Sequence, residues 1–329
     1  MPARARLTRS AVALTVAMTA GTAALLTGCG PLTPTANGTT SPAAGPGAGS
    51  ASPAPASVIN GTATNGLTIS DGTRYVVMNG TRIDFGTAVR DLAWSPDGSR
   101  AAFVDGSGDL VVSHPDGTGR TVVAHNPGGV NWSHPTWQVA PADTADGVPA
   151  KDNLIFTSGS GSTAVLETIG ATAVGGTPKK LGLNGYGGEA NSTPPQSGNV
   201  WPDAAGQHGS SVYANAANGE VYLRDDNLRQ QGGVLAPGSE PALAPTDDGH
   251  VVFVRSVAGH DHLFLAAGGT KSAVKDLTPN ATTDYTEPAW SPDGSTVAAR
   301  TPDGIVTLKV DGAQPVKVSG YTGLPAYRG

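Results

Sequence analysis

The run Trp94-Ser-Pro-Asp-Gly98 returns almost unchanged as Trp290-Ser-Pro-Asp-Gly294, in each case followed by a short apolar run. Three more worn copies lie between them. One is Glu240-Pro-Ala-Leu243 with His250-Val-Val-Phe-Val254. One is His134-Pro-Thr-Trp137 with Leu154-Ile-Phe-Thr157, an insertion falling in its turn. One is Gly198-Asn-Val-Trp201-Pro-Asp203 with Ser211-Val-Tyr-Ala214. The large residues at 94, 137, 201, 243 and 290 are spaced by 43, 64, 42 and 47. A repeat of this length is one supersecondary unit that buries its faces only by stacking on its neighbours.

Within each unit a short strand ends in a large apolar side chain. Proline then fixes φ, and Asp-Gly supplies a turn tolerant of positive φ. A second strand follows, such as Arg100 to Val104, then a third, such as Asp109 to Ser113 or Glu220 to Arg224. A weaker fourth, such as Thr121 to Ala124 or Pro315 to Val318, closes the unit. Four antiparallel strands in about 40 to 45 residues make one propeller blade. The 46 glycines and 26 prolines disfavour long helices and suit many tight turns. Leu324-Pro-Ala-Tyr327 matches an opening strand with nothing after it, and Ser70-Asp-Gly72 to Val77 matches a turn and second strand with no opening strand. Together they make one blade, with Asn79-Gly80 as its next hairpin turn. The expectation is an all-β, six-bladed β-propeller of four-stranded antiparallel blades, its ring closed by N- and C-terminal half-blades. Gly- and Pro-rich sequence around Leu183 to Ser197 is expected to be an extended loop.

The Trp-Ser-Pro-Asp-Gly motifs resemble the Pro-Asp repeats of TolB-type β-propellers, related to WD40-like repeats, over roughly residues 66 to 329. The resemblance implies the same six-bladed ring. The motif differs from a sialidase Asp-box, which places a residue between Asp and Gly.

Upstream of the repeats, Arg4, Arg6 and Arg9 precede an apolar stretch from Ala11 to Leu26. Leu26-Thr-Gly-Cys29 follows, holding the sole cysteine of the chain. This resembles a bacterial lipoprotein signal, in which the cysteine thiol takes a diacylglycerol, with acyl chains such as palmitate, and becomes the mature N-terminus. Residues 1–28 are read as signal peptide. Residues 29–57 are read as the lipidated Cys29 with a disordered tether of Pro, Thr, Ser, Ala and Gly, reaching roughly 30 Å as a flexible coil. Residues 58–329 are read as the propeller. The localisation expected is the extracytoplasmic face of the cell membrane, held by lipid at Cys29. The net charge of −6 becomes more acidic once the signal arginines are lost, which argues against nucleic acid and polybasic membrane contacts.

Chemistry is sparser. Asp97, Asp203 and Asp293 read as turn aspartates bonding their own backbone rather than as metal ligands. His260 and His262 share one strand face and could meet a metal, but the sequence supplies no further ligand. Asp225 and Asp226 point to opposite faces and read as a solvated turn. No Gly-x-Ser-x-Gly elbow occurs. One constellation comes from aligning the repeats. Three residues before each key position stand Asp91, His134, Gly198, Glu240, Glu287 and Leu324. Innermost strands line the channel, so Asp91, His134, Glu240 and Glu287 are expected to form a negative ring that holds a cation or an amine. The expected function is a lipid-anchored, monomeric binding propeller recognising an envelope protein, peptide or glycan, with no catalytic residues, metal or cofactor. The competing reading is a polysaccharide lyase or glycosidase working in the channel.

Overall fold

A computed structural model describes residues 61–62, 65–185, 193–227, 230–269 and 273–329. Cys29 and the segments read as signal peptide and tether lie outside the described residues.

The first strands are β1 (Leu67–Ser70), β2 (Tyr75–Met78) and β3 (Thr81–Asp84). Two complete blades follow: β4 (Arg90–Trp94), β5 (Ala101–Val104), β6 (Leu110–Ser113) and β7 (Thr121–Ala124), then β8 (Trp132–Ala140), β9 (Lys151–Ser158), β10 (Val165–Gly170) and β11 (Lys179–Lys180). After β12 (Asn184–Gly185) come β13 (Asn199–Ala205), β14 (Ser210–Asn215), β15 (Glu220–Asp225) and β16 (Gln231–Pro237). The last full blades are β17 (Ser239–Leu243), β18 (His250–Val257), β19 (His260–Ala267) and β20 (Val274–Asp276), and β21 (Thr286–Trp290), β22 (Thr296–Thr301), β23 (Gly304–Lys309) and β24 (Val316–Ser319). Finally β25 (Leu324–Tyr327) pairs antiparallel with β1, Leu67 opposite Tyr327 and Ser70 opposite Leu324. The result is six antiparallel blades and an all-β propeller, closed by strands from the two ends of the described chain.

The closing blade differs from expectation by one strand. Its order is β25-β1-β2-β3, so Asp71-Gly72 joins the second and third strands, not the first and second. Leu67–Ser70, buried along its whole length, is the second strand. Thr68 and Ser70 are as buried as Leu67 and Ile69, and an alternation of only four residues is too short to mark a strand by its period.

Inner strands contact one another in sequence around the ring, β4 with β8, β8 with β13, β13 with β17, β17 with β21, β21 with β25 and β25 with β4. Six apolar clusters fill the six interfaces between blades. One joins Val104 and Leu110 to Trp137 and Phe156, and another joins Ala244 and Val252 to Trp290 and Val297. Each fully buried side chain of this size contributes about 1.5–3 kcal/mol, so the stacking holds the ring without a disulfide.

The long spacing between 137 and 201 has two causes. The β8–β9 hairpin is extended, and the chain after β10 forms a strap instead of a plain loop. Gly175 and Gly176 donate to Val122 and Val123 carbonyls on β7 (2.9 and 2.8 Å), β11 pairs with β10, and β12 adds in parallel to β16. Leu181 and Leu183 are buried beside Ile155 and Tyr213. The strap therefore ties the outer edges of three consecutive blades. Residues 186–192 lie outside the described residues.

Candidate functional site

Five innermost strands carry the same irregularity. Each has a bulge near its start, and the residue there has positive φ: Asp91 (54°), His134 (51°), Trp201 (49°), Glu240 (47°) and Glu287 (52°). None is glycine, so each costs on the order of 1–3 kcal/mol of backbone strain. The bulge turns these residues toward the axis, and the hydrogen bonds below offset the strain. Asp91 Oδ2 accepts the His134 N–H at 3.2 Å, and Glu240 Oε2 accepts the Glu287 N–H at 2.6 Å. In both cases a carboxylate on one blade grips the bulge of the next.

The repeat alignment placed Gly198 in this ring; the structure puts Trp201 there instead. The fourth blade is shifted by three residues, so Ala204, not Trp201, takes the inter-blade position. A proline after the ring residue marks the correct register, in His134-Pro, Trp201-Pro, Glu240-Pro, Glu287-Pro and Leu324-Pro.

The shift also changes Asp203. Asp97 and Asp293 cap their own turns as expected. Each accepts a serine hydroxyl at 2.6 Å from two residues before, and a backbone N–H at 3.1 Å and a hydroxyl at 2.8 Å from two residues after. These bonds hold the Asp97 carboxyl down at about 2. Asp203 is in no turn. It lies within β13, accepting the Thr136 hydroxyl of the preceding blade at 3.0 Å and the Leu243 N–H of the following blade at 2.8 Å. Burial outweighs these bonds and pushes its pKa up to about 6. Elsewhere indoles make the equivalent links. Trp137 Nε1 donates to the Ala93 carbonyl (3.1 Å), Trp290 Nε1 to that of Ala242 (2.9 Å), and Trp94 Nε1 to Thr68 Oγ1 (2.9 Å), which donates to the Ala326 carbonyl (2.8 Å).

The ring is crossed by its own side chains. His134 on β8 and Glu287 on β21 belong to opposed blades, yet Nε2 and Oε2 stand 3.8 Å apart, an ion-pair distance too long for a hydrogen bond. His134 Nε2 is buried and has no hydrogen-bond partner. The Trp201 ring meets the imidazole edge-on at 6.1 Å. Arg300 on β22 reaches Glu287 Oε1 at 3.4 Å. Burial opposes charge on His134, but Glu287, Asp91 and Glu240 prevail and raise its pKa. Burial likewise opposes charge on Glu287, but His134 and Arg300 prevail and hold it low. Burial, reinforced by Glu287, lifts Glu240 to about 6.

From this ring a cavity of about 700 Å³ runs along the axis to the turns after the inner strands, where Pro96, Pro141, Gln207, Pro245 and Pro292 form its mouth. Ala93, Ala289 and Ala326 line its walls. An apolar cavity with a few convergent polar groups is the usual form of a ligand site.

The other candidates lie apart from it. His260 Nδ1 pairs with Asp284 Oδ1 at 3.2 Å and His262 Nδ1 with Asp276 Oδ2 at 2.9 Å, so the two imidazoles serve different carboxylates. Asp226 is not in a solvated turn. It is buried and paired with Arg224, and accepts the Ser211 hydroxyl at 3.1 Å, because the chain folds back against β14 after β15. Among the described residues, no group of three or more His, Cys, Asp or Glu is arranged to hold a metal ion.

No family model matches the chain, and no curated protein matches it. Solved structures do. A chain from a nidogen/laminin complex is similar over 80% of this chain and 97% of its own, with a TM-score of 0.52 and 9% identity. An oligogalacturonate lyase in complex with manganese aligns over 75% of this chain and 70% of its own, with a TM-score of 0.46 and 12% identity. A dihydro-heme d1 dehydrogenase aligns over 77% of this chain and 53% of its own, with a TM-score of 0.43 and 12% identity. At such identities the likeness is one of fold: the class is the β-propeller.

Proposed function

We propose that this chain is a TolB-type propeller that acts as a lipid-anchored, extracytoplasmic binding protein, taking a segment or small part of an envelope protein, peptide or glycan into its axial funnel without transforming it. The observation that carries the reading is the funnel itself, a cavity of about 700 Å³ with the carboxylates of Asp91, Glu240 and Glu287 and the imidazole of His134 gathered at one end. Function on a common fold resides in such a site rather than in the fold. The anchoring half rests on Leu26 to Cys29 and the tether composition. A diacylated cysteine holds a protein stably at a membrane, so Cys29→Ser releases the protein from the membrane fraction or blocks its maturation. Unchanged retention of that variant removes the anchor.

The binding half is tested by screening cell-wall peptides and glycans by thermal shift. Hits are repeated on the Cys29→Ser chain carrying Gln207→Cys, labelled at the funnel mouth with a bulky maleimide. Labelling is expected to abolish binding, and hits indifferent to the label move the site elsewhere. A glycosidase or lyase is the second reading. It is favoured by one observation: neighbouring Glu240 and Glu287 are driven in opposite directions, as an acid–base pair requires. Turnover of a glycan hit, lost in Glu240→Gln, decides for it.

A further inference from the structure

We infer that the ring at the end of the funnel captures an organic ammonium group carried on an apolar stem at alkaline pH and releases it as the pH falls, with His134 as the resident competitor for the same carboxylates. The inference rests on the funnel being a binding site and names the chemistry it takes.

The space is shaped for such a group. Much of the wall is apolar, with Ala93, Ala289, Ala326, Leu92 and Leu243 among its residues, which suits a stem. The carboxylates of Asp91, Glu240 and Glu287 converge at the far end from three different blades. Asp91 and Glu240 each receive one backbone N–H, leaving further lone pairs free. Glu287 is held only at a distance, by His134 at 3.8 Å and Arg300 at 3.4 Å. The buried His134 Nε2 has no hydrogen-bond partner, so the imidazole occupies the cation position without satisfying it. An ammonium carries three donors on a point charge and can reach two carboxylates at once. The Trp201 indole already lies beside the imidazole, its centroid 6.1 Å away, and so borders the place an incoming cation would take.

The charges then set the pH response. The groups facing the ring are Asp91 on β4, His134 on β8, Glu240 on β17, Glu287 on β21 and Arg300 on β22. Asp203 on β13 and Tyr327 on β25 are further along the wall. At alkaline pH three carboxylates oppose one guanidinium, and the ring attracts a cation. As the pH falls, His134 becomes a cation and Glu240 takes up its proton near pH 6, so charges of the two signs balance. Both titrations work against a bound ammonium. A carboxyl that titrates at about 6 is protonated about tenfold over at pH 5, so capture through it weakens by about that factor.

The probe is n-hexylamine, with 1-hexanol and hexanoate as the neutral and anionic counterparts of the same length, titrated calorimetrically against the full chain at pH 8.5 and 5.0. Hexylamine is expected to bind at pH 8.5, at least about tenfold more weakly at pH 5.0, and tighter than hexanol at the higher pH. Repeating the titration near pH 6.5 in two buffers of different ionisation enthalpy is expected to show proton release on binding. Glu240→Gln with Glu287→Gln removes the preference for the amine. Should that pair not fold, His134→Gln alone strengthens binding at pH 5.0 and leaves only the part of the pH dependence that belongs to Glu240, and unchanged binding at pH 5.0 overturns the competitor role of His134. Hexanol binding as tightly as hexylamine, or amine binding that ignores pH, overturns the cation proposal. If hexanol binding is still blocked by the label at 207, the funnel reading survives that failure. If none of the three probes binds and the screen yields no label-sensitive hit, both fail.

Discussion

The carboxylate of Asp203 accepts one hydrogen bond from the blade before it and one from the blade after it. Its pKa of about 6 makes those links dependent on pH. The folded chain keeps this proton up to about pH 6, whereas the unfolded chain gives it up near the ordinary 3.8. Between those values the native state binds more protons, so stability falls as the pH rises through the window. Asparagine matches the protonated acid: its amide donates to Thr136 Oγ1 and its oxygen accepts the Leu243 N–H. Asp203→Asn is therefore expected to leave the melting temperature unchanged near pH 4 and to raise stability by about 1–2 kcal/mol at pH 7.5, a figure discounted for partial exposure. Matched melts at the two pH values check this; destabilisation at both shows that the ionised form is the preferred link. The residue was misread from sequence because Pro202-Asp203 copies the local chemistry of a turn. Only the bulge, a feature of pairing with β14, shows it to be strand. The ring carboxylates, by contrast, were legible, since repeat equivalence places Asp91, Glu240 and Glu287 alike without any local motif. The contact of His134 with Glu287 across the axis was not legible, because it depends on the bore of the channel.

At the level of strands, ring closure rests on the four residue pairs between β1 and β25. The approach into β25 is tight. A Cβ placed on Gly323 would lie 2.3 Å from the Ser70 carbonyl oxygen, which sits at the end of β1. Neither backbone can give way without breaking the pairing, so overpacking here costs about 1–3 kcal/mol. Gly323→Ala is expected to lower the melting temperature by about 3–10 °C. Gly182→Ala is the control, because a Cβ there meets nothing within 4 Å. An equal effect of the two substitutions dismisses the steric argument. The half-blade closure was readable because each end of the repeat array lacks what the other supplies. The strap was not readable. Glycine-rich sequence has no side-chain period, and the pairing of β12 with β16 is imposed by the distant blade it lies against.

On the scale of the whole ring, the indole links run in one direction. Trp94, Trp137 and Trp290 each reach back to the blade before. Where Ala204 and Leu243 stand in place of tryptophan, Asp203 and Thr136 supply the connection. That substitution explains why two copies of the repeat look so worn in sequence while their blades stack as closely as the rest.

The seam between β1 and β25 also has a mechanical consequence. Tension arriving from the chain before Leu67 pulls β1 from the end that lies beside Tyr327, while β25 is held by the body of the ring at Leu324, beside Ser70. The two strands are thus loaded at opposite ends and must slide past one another in shear. All their hydrogen bonds share the load at once instead of parting one by one, so a ring tugged by its leading segment is gripped at its strongest angle.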